Sequence, residues 1–286
     1  MFPYGLFSAA KPRLVRGFLI GKSYIMQGTA DTWYGSVMQG PIALFTDFGA
    51  GSIYVGQMHM AAANALSDVR VIDLYHDPAV FDVSCSAVLL AALLDQTPEG
   101  TALVGVIDPG VGSERAGLAI MLEGRWLVGP DNGLFSAALA RSGGVPDYYR
   151  VQTEKEPRSQ TFHGRDIFVP IAAGLVAGRQ GGLIWLKDPS TTVTAGIAAD
   201  LSPDLARVVH IDRYGNIITG LRGEHFSQSR SFTVGLHRLV YAEYFAAVRE
   251  GTCFWTVNSM GLVEFAVNQG SAAEFLGLIV GDPFRP

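Results

Sequence analysis

The stretch Val104-Gly-Val-Ile-Asp-Pro-Gly-Val-Gly-Ser-Glu-Arg115 constrains the fold more than any other. With Leu103 it opens as a short apolar run containing β-branched residues, the composition of a strand buried on both faces. The run stops at Asp108-Pro109-Gly110, because proline cannot donate to a ladder and glycine adopts backbone angles that other residues avoid. A carboxylate thus stands at the carboxyl end of a central strand, and a glycine-lined loop leads on to Arg115. In open α/β sheets ligands sit outside that end of the strands. An ordinary strand exit, with Asp and Gly serving only the turn, fits the same residues.

The pattern repeats around it. Pro41–Phe45 is a strand candidate ending in Thr46-Asp47-Phe48-Gly49, and a helix-like run follows from Val55 to Leu66. Val69–Leu74 is a second strand, ending in Tyr75-His76-Asp77-Pro78. Ser84 is placed to cap the next helix, which runs through Leu94 until Pro98 and Gly100 end it. Leu118–Leu122 and Arg125–Val128 form a hairpin around Glu123-Gly124, with Pro130-Asp-Asn-Gly133 as the next turn. Strands alternating with helices predict an α/β/α-type layered domain over residues 41–178.

Residues 179–205 are rich in Gly, Thr, Ser and Pro and read as a linker. Residues 206–286 carry short strands separated by turns, the pattern of a smaller all-β, barrel-like domain. Two domains also suit 286 residues, more than one core usually organises. Residues 1–40 form an atypical N-terminal extension, basic and without an acidic residue before Asp31. A transit peptide, a poorly ordered extension, and a start placed too far upstream with Met38 nearer the true beginning all fit.

Composition narrows the function classes. An apolar content of 49% with 16% charged residues is that of a well-buried globular chain. Lys and Arg total 21 against 26 Asp and Glu, and no basic tract stands out, which argues against nucleic acid as a partner. No apolar run reaches membrane-spanning length. Cys85 and Cys253, too few for a disulfide framework or a zinc site, suit a reducing, cytoplasmic setting.

Thr161-Phe-His-Gly-Arg-Asp-Ile-Phe168 places an imidazole, a guanidinium and a carboxylate within four residues. His163 is a structural or functional histidine on this reading, and Arg165 with Asp166 can simply pair with each other or cap a helix. Asp47, His76, Asp77, Asp108 and Asp131 are the candidates for a metal, but their spacing matches no His-x-x-x-His, Cys-pair or calcium-loop pattern. Neither a nucleophile elbow nor a phosphate loop is present. Ile211-Asp-Arg-Tyr-Gly-Asn216 sets an aromatic face beside an amide that can read a base edge, although a plain Gly-Asn turn fits too. Asn258-Ser-Met-Gly261 is equally brief.

Seven stretches occur in order: Thr46–Gly49, Tyr54-Val-Gly-Gln-Met58, Asp108–Gly112 with Arg115, Pro130–Gly133, Thr161–Phe168, Asp212–Asn216 and Asn258–Gly261. Together they resemble the S-adenosyl-L-methionine hydroxide adenosyltransferases, relatives of the fluorinating and chlorinating enzymes that use the same substrate. The resemblance covers about residues 41–282. It implies hydrolysis of S-adenosylmethionine to adenosine and methionine without metal or cofactor, by a homotrimer whose active sites lie between subunits. It places the catalytic set on Asp108, Arg115 and His163, a set the halide-using relatives lack.

For the substrate, the resemblance puts Asp47 on the ribose diol and Phe81 near the ribose. Tyr214 and Tyr241 would enclose the adenine, with Asn216 on its edge, and Asp212 and Ser259 would hold the methionine end. One departure is plain: the acidic residue common just after Thr-Asp-Phe-Gly is replaced by Ser52. Two other readings stay open, a halide-using enzyme of this architecture and a sensor that binds adenosine or its sulfonium donor without turnover. A metal-dependent hydrolase is a third.

Overall fold

The structure, a computed structural model, describes residues 40–152, 156–200 and 204–286. The N-terminal extension therefore lies outside the described residues, apart from Gly40. Strands β1 (Ile42–Thr46), β2 (Val71–Tyr75), β3 (Ala102–Val106), β4 (Gly117–Leu122), β5 (Arg125–Pro130), β6 (Asp147–Val151) and β7 (Leu183–Trp185) form one mixed seven-stranded sheet. Its order is β2-β1-β3-β5-β4-β6-β7, with β3 between β1 and β5, both parallel to it. The β4–β5 connection turns on Glu123 and Gly124, at φ 46° and 75°, as a tight two-residue hairpin requires.

Alternation along β3 sends side chains to two cores. Leu103 joins Leu90 of α2 (Val83–Leu94) and Ala137 of α3 (Ser136–Arg141) on one face. Val104 joins Met58 of α1 (Ile53–Ala65) and Ala172 of α4 (Val169–Val176) on the other. That is the layered α/β arrangement expected. Gly105 has a steric reason: a Cβ there would stand 2.9 Å from Leu134 and 3.1 Å from both Leu90 and Phe135.

Two local expectations are corrected. The N-cap of α2 is Asp82, whose Oδ1 accepts from Cys85 N at 2.9 Å, and not Ser84, which lies within the first turn. The stretch 179–205 is also more than a linker. Leu183–Trp185 is the edge strand β7, paired with β6, and Val193–Asp200 is a helix, α5, in contact with α3.

The C-terminal unit holds an antiparallel sheet of β8 (Leu205–Ile211), β9 (Ile217–Arg222), β12 (Cys253–Val257) and β13 (Leu262–Val267), in the order β12-β13-β9-β8. A separate ribbon pairs β10 (Ser231–Val234) with β11 (His237–Val240). A second β-rich unit is thus present, its described strands pairing as a four-stranded sheet and a two-stranded ribbon. Phe232, Trp255 and Phe265 are fully buried between them, Phe232 edge-on to Trp255 at 5.1 Å. A short helix, α6 (Ala272–Leu276), closes this core. Between the units, Arg207 Nη2 donates to Asp82 Oδ2 at 2.8 Å, and the Tyr75 hydroxyl meets His210 Nδ1 at 2.9 Å.

Candidate active site

Asp108 follows β3 directly, and its side chain is only 4% exposed. Arg115, 12% exposed, returns from the glycine loop to hold it. Its Nε lies 3.0 and 3.1 Å from the two carboxylate oxygens, and Nη2 donates to Oδ2 as well. The same Nη2 reaches His163 Nδ1 at 2.9 Å. Three residues far apart in sequence therefore form one hydrogen-bonded chain. Gly112, at φ 81°, permits the approach: a Cβ there would press on Gln160 O at 2.8 Å, just before the His163 segment.

The protonation pattern follows from the donors. A guanidinium has no acceptor, so Nδ1 of His163 offers its lone pair and the neutral ring carries its proton on Nε2. Burial lowers the His163 pKa, and the charge of Arg115 lowers it further, against smaller opposing effects of Asp108 and Asp166. Nε2 is buried and makes no hydrogen bond. Beside it is a small cavity of about 180 Å³ lined by Arg115, His163, Ile167, Phe168 and Val151.

The backbone behind His163 is unusual. Gly164–Phe168 is a single π-helical turn, closed by Val169 N on Gly164 O, and it runs into α4. Such widened turns are frequent at functional sites. Gly164 fits against Val106 and Met58, where a Cβ would come within 3.3 Å of Val106.

Other motif residues brace this centre. Phe48, Tyr54 and Phe162 pack edge to face with centroids 5.5–5.9 Å apart, joining three of the sequence motifs. Arg165 does pair with Asp166, at 2.7 and 2.9 Å, and also donates to Gln57 Oε1 at 2.7 Å. Asn132 Nδ2 donates to Ile107 O at 2.8 Å, fixing the backbone next to Asp108. Gln57 and Asn132 were not singled out by sequence reasoning, although both lie inside the quoted motifs.

Asp47, at the end of β1, accepts from Phe81 N at 3.2 Å. Burial raises its pKa, Phe81 N–H works against this, and the negative charge of Asp108 adds to the rise. Phe81 is 69% exposed and sits at φ 62°. A non-glycine residue held there is strained, a condition that clusters at functional sites. Ser52 caps α1, its Oγ accepting from Tyr54 N at 3.2 Å.

The remaining residues sit on the C-terminal unit. Asp212 anchors the β8–β9 turn: Oδ1 accepts from Tyr214 N and Asn216 N at 2.8 and 2.9 Å, and Oδ2 from Asn216 Nδ2 at 2.9 Å. Tyr214 at the turn tip is 80% exposed. Tyr241 lies against Trp255 at 4.9 Å, its hydroxyl accepting from Gln228. Ser259 is exposed in the turn that Asn258 Oδ1 holds through Met260 N and Leu262 N, at 3.0 and 3.1 Å. Among the described residues, no hydrogen bond, ion pair or ring contact joins this second group to the first.

The acids and histidines considered for a metal have other partners. His76 meets Thr46 Oγ1 at 2.8 Å, and Asp77 Oδ1 accepts from Ala50 N at 2.9 Å. Asp131 holds the N-terminus of α5 through Thr194 N at 2.8 Å and Val193 N at 3.2 Å. Among the described residues no three His, Cys, Asp or Glu side chains are grouped to hold a metal ion. Likewise, no described helix is long and apolar enough to cross a membrane.

Known proteins are similar to this chain along most of its length. The N-terminal domain model of the SAM hydroxide adenosyltransferases matches residues 42–183, and the C-terminal domain model matches 206–285. An (R)-S-adenosyl-L-methionine hydrolase of Salinispora arenicola is 34% identical over 262 residues, covering 85% of this chain and 96% of its own. The protein of that name from Thermus thermophilus is 34% identical over 255 residues, covering 86% and 98%. The one from Methanocaldococcus jannaschii is 30% identical over 254 residues, covering 83% and 92%. Among solved structures, an uncharacterized conserved protein from Thermotoga maritima superposes with a TM-score of 0.70 at 25% identity, covering 84% of this chain and 97% of that one. A conserved hypothetical protein from Thermus thermophilus gives 0.66 at 32% identity, covering 86% and 99%. With both domain models accounting for nearly all of the described residues, the chain belongs to the SAM hydroxide adenosyltransferase family.

Proposed function

We propose that the protein hydrolyses S-adenosyl-L-methionine to adenosine and L-methionine by in-line attack of water at the ribose C5′. The observation that carries this reading is the buried chain Asp108–Arg115–His163, found in a member of a family whose relatives are named as hydrolases of this substrate. The sulfonium leaves as a neutral thioether and needs no acid. Water is the difficult partner and must lose a proton at or near attack.

The bonding suggests a division of labour. Asp108 Oδ1 accepts only from Arg115 Nε, which leaves it a free lone pair for the water proton. His163, with Nε2 protonated, donates to the attacking oxygen rather than deprotonating it. Arg115 lends positive charge as hydroxide develops. General-base help of this kind is typically worth ~10²–10⁴ in rate, and alignment of the water with the C–S bond adds to it. The reaction as written takes no cofactor and no metal.

Substrate contacts follow the same reading. Asp47 takes the ribose hydroxyls and Phe81 packs on the ribose, while Tyr214, Tyr241 and Asn216 receive the adenine. Asp212 and Ser259 hold the amino-acid end. Because no hydrogen bond, ion pair or ring contact joins these two groups among the described residues, the reading includes a homotrimer whose sites are completed between subunits, working in the cytoplasm.

Purified protein incubated with S-adenosylmethionine in chloride-free buffer should release adenosine and methionine, seen by chromatography. Chlorinated adenosine on adding chloride would instead favour the halide-using reading. Tight adenosine binding without any product would leave only a sensor. Mixing inactive Asp108→Asn chains with inactive Asp212→Ala chains should restore part of the activity if sites are shared, and restore none if each chain is complete.

A further inference from the structure

Two arginines of this chain seat a carboxylate on their Nε–Nη2 edge. Arg115 holds Asp108 on that edge, and Arg165 holds Asp166 on it, Nε to Oδ1 at 2.7 Å and Nη2 to Oδ2 at 2.9 Å. Arg141, in the last turn of α3, has the same two nitrogens buried and without a partner. A guanidinium does not escape by deprotonating, and a buried charged donor left unmet is among the costlier local defects.

Arg141 lines a cavity of about 640 Å³ between the two units, which none of the proposed active-site residues lines. Leu94 and Ala138 supply apolar wall from one unit, and Val257 and Met260 from the other. Arg222 also lines it, its buried Nε making no hydrogen bond and lying 3.9 Å from Asp204 Oδ1. The acids nearby do not fill the gap. Glu123 is held by Ser142 Oγ at 2.7 Å and by Gly143 N and Gly144 N at 3.2 Å, and Glu224 by Arg222 Nη1 at 3.0 Å. Asp95 is exposed, and among the described residues no carboxylate is within ion-pair distance of Arg141. Burial, and then the like charge of Arg222, lowers the Arg141 pKa, against the opposing charges of Asp95, Asp204 and Glu224.

We infer that this cavity is a binding site for a small organic acid, its carboxylate seated on the Nε–Nη2 edge of Arg141 and its apolar body against Leu94, Ala138 and Met260. A planar carboxylate matches that fork, and a cavity of this size with apolar walls and a few converging donors suits a small molecule. The site does not depend on the proposed hydrolysis.

Isothermal titration of the full-length protein with isovalerate tests it, with isoamylamine and inorganic phosphate as comparison probes. Isovalerate should bind in the submillimolar range and isoamylamine should not bind. Arg141→Met should weaken isovalerate at least tenfold while adenosine release from S-adenosylmethionine stays unchanged. Arg141→Lys, which keeps the charge and loses the fork, should weaken it as well and guards against a folding defect in the first variant. Equal affinity of the wild type and Arg141→Lys, phosphate binding more tightly than isovalerate, or no heat at tens of millimolar isovalerate would each overturn the inference.

Discussion

Arg115 stands between Asp108 and His163 and touches both through a single nitrogen, Nη2, so the placing of a carboxylate and the tautomer of an imidazole depend on the same atom. Removing either neighbour therefore gives distinguishable results. Asp108→Asn keeps the shape and one acceptor but lowers basicity, and should reduce kcat by ~10²–10⁴ with little change in KM. Arg115→Met strands a carboxylate that is 4% exposed, and should cost about 3–5 kcal/mol of stability. Steady-state adenosine release checks the first and urea unfolding the second.

The His163 ring should titrate below the ordinary histidine value, because burial and Arg115 both disfavour its charged form. With the folded value below the unfolded one, the unfolded chain binds more protons as pH falls through about 6.5, so this residue contributes a loss of stability on that side and none above it. Ring-proton NMR should place the midpoint below 6.5, and Arg115→Met should move it up. A midpoint that Arg115→Met leaves in place would sink the assignment of Nδ1 as acceptor.

Phe81 combines exposure with a left-handed backbone. Phe81→Gly should relieve strain of order 1–3 kcal/mol, less the entropy glycine brings to the unfolded chain, so the melting temperature should hold or rise. If the ring packs on the ribose, KM for S-adenosylmethionine should rise in the same variant. Stability and binding moving in opposite directions is the outcome to look for.

Tyr214, 80% exposed at the β8–β9 turn, has little to lose on truncation. Tyr214→Ala should change stability by no more than about 0.5 kcal/mol, yet weaken adenosine binding by ~1–3 kcal/mol if the ring stacks on the base. Calorimetry with adenosine separates the two effects.

Ser52→Asp addresses the departure at α1. Aspartate caps a helix as well as serine and suits the positive N-terminus, so thermal stability should be kept. A carboxylate restored beside the methionine end should lower KM for S-adenosylmethionine, measured by the same chromatographic assay.

Sequence carried the large elements because local signals agreed with tertiary ones. The apolar run Leu103–Ile107 is a central strand, and Glu123-Gly124 is the hairpin turn. It failed where a long-range partner decides. Asp131 matched no metal pattern and had no other role in sequence, whereas its oxygens accept from Val193 N and Thr194 N, more than sixty residues on. The 179–205 stretch has loop composition, yet a three-residue strand can join an existing edge without a period of its own, and α5 begins on the carboxylate of another segment. Ser84 and Asp82 both suit a helix start, and only the Cys85 contact chooses between them. In the site, residue types were legible, but the shared nitrogen of Arg115 was not, because spacing in sequence says nothing about which atoms meet.

The wide turn at Gly164–Phe168 holds one residue more than a regular helix would. An α-helix advances about 100° per residue, since 3.6 residues complete a turn. Deleting a single residue there would leave α4 with a smoother start, and it would swing the preceding imidazole by roughly that angle, away from Arg115. The irregularity thus works as a one-residue gauge for the aim of His163: a chain repaired toward ideal helix would fold with greater ease and point its histidine elsewhere.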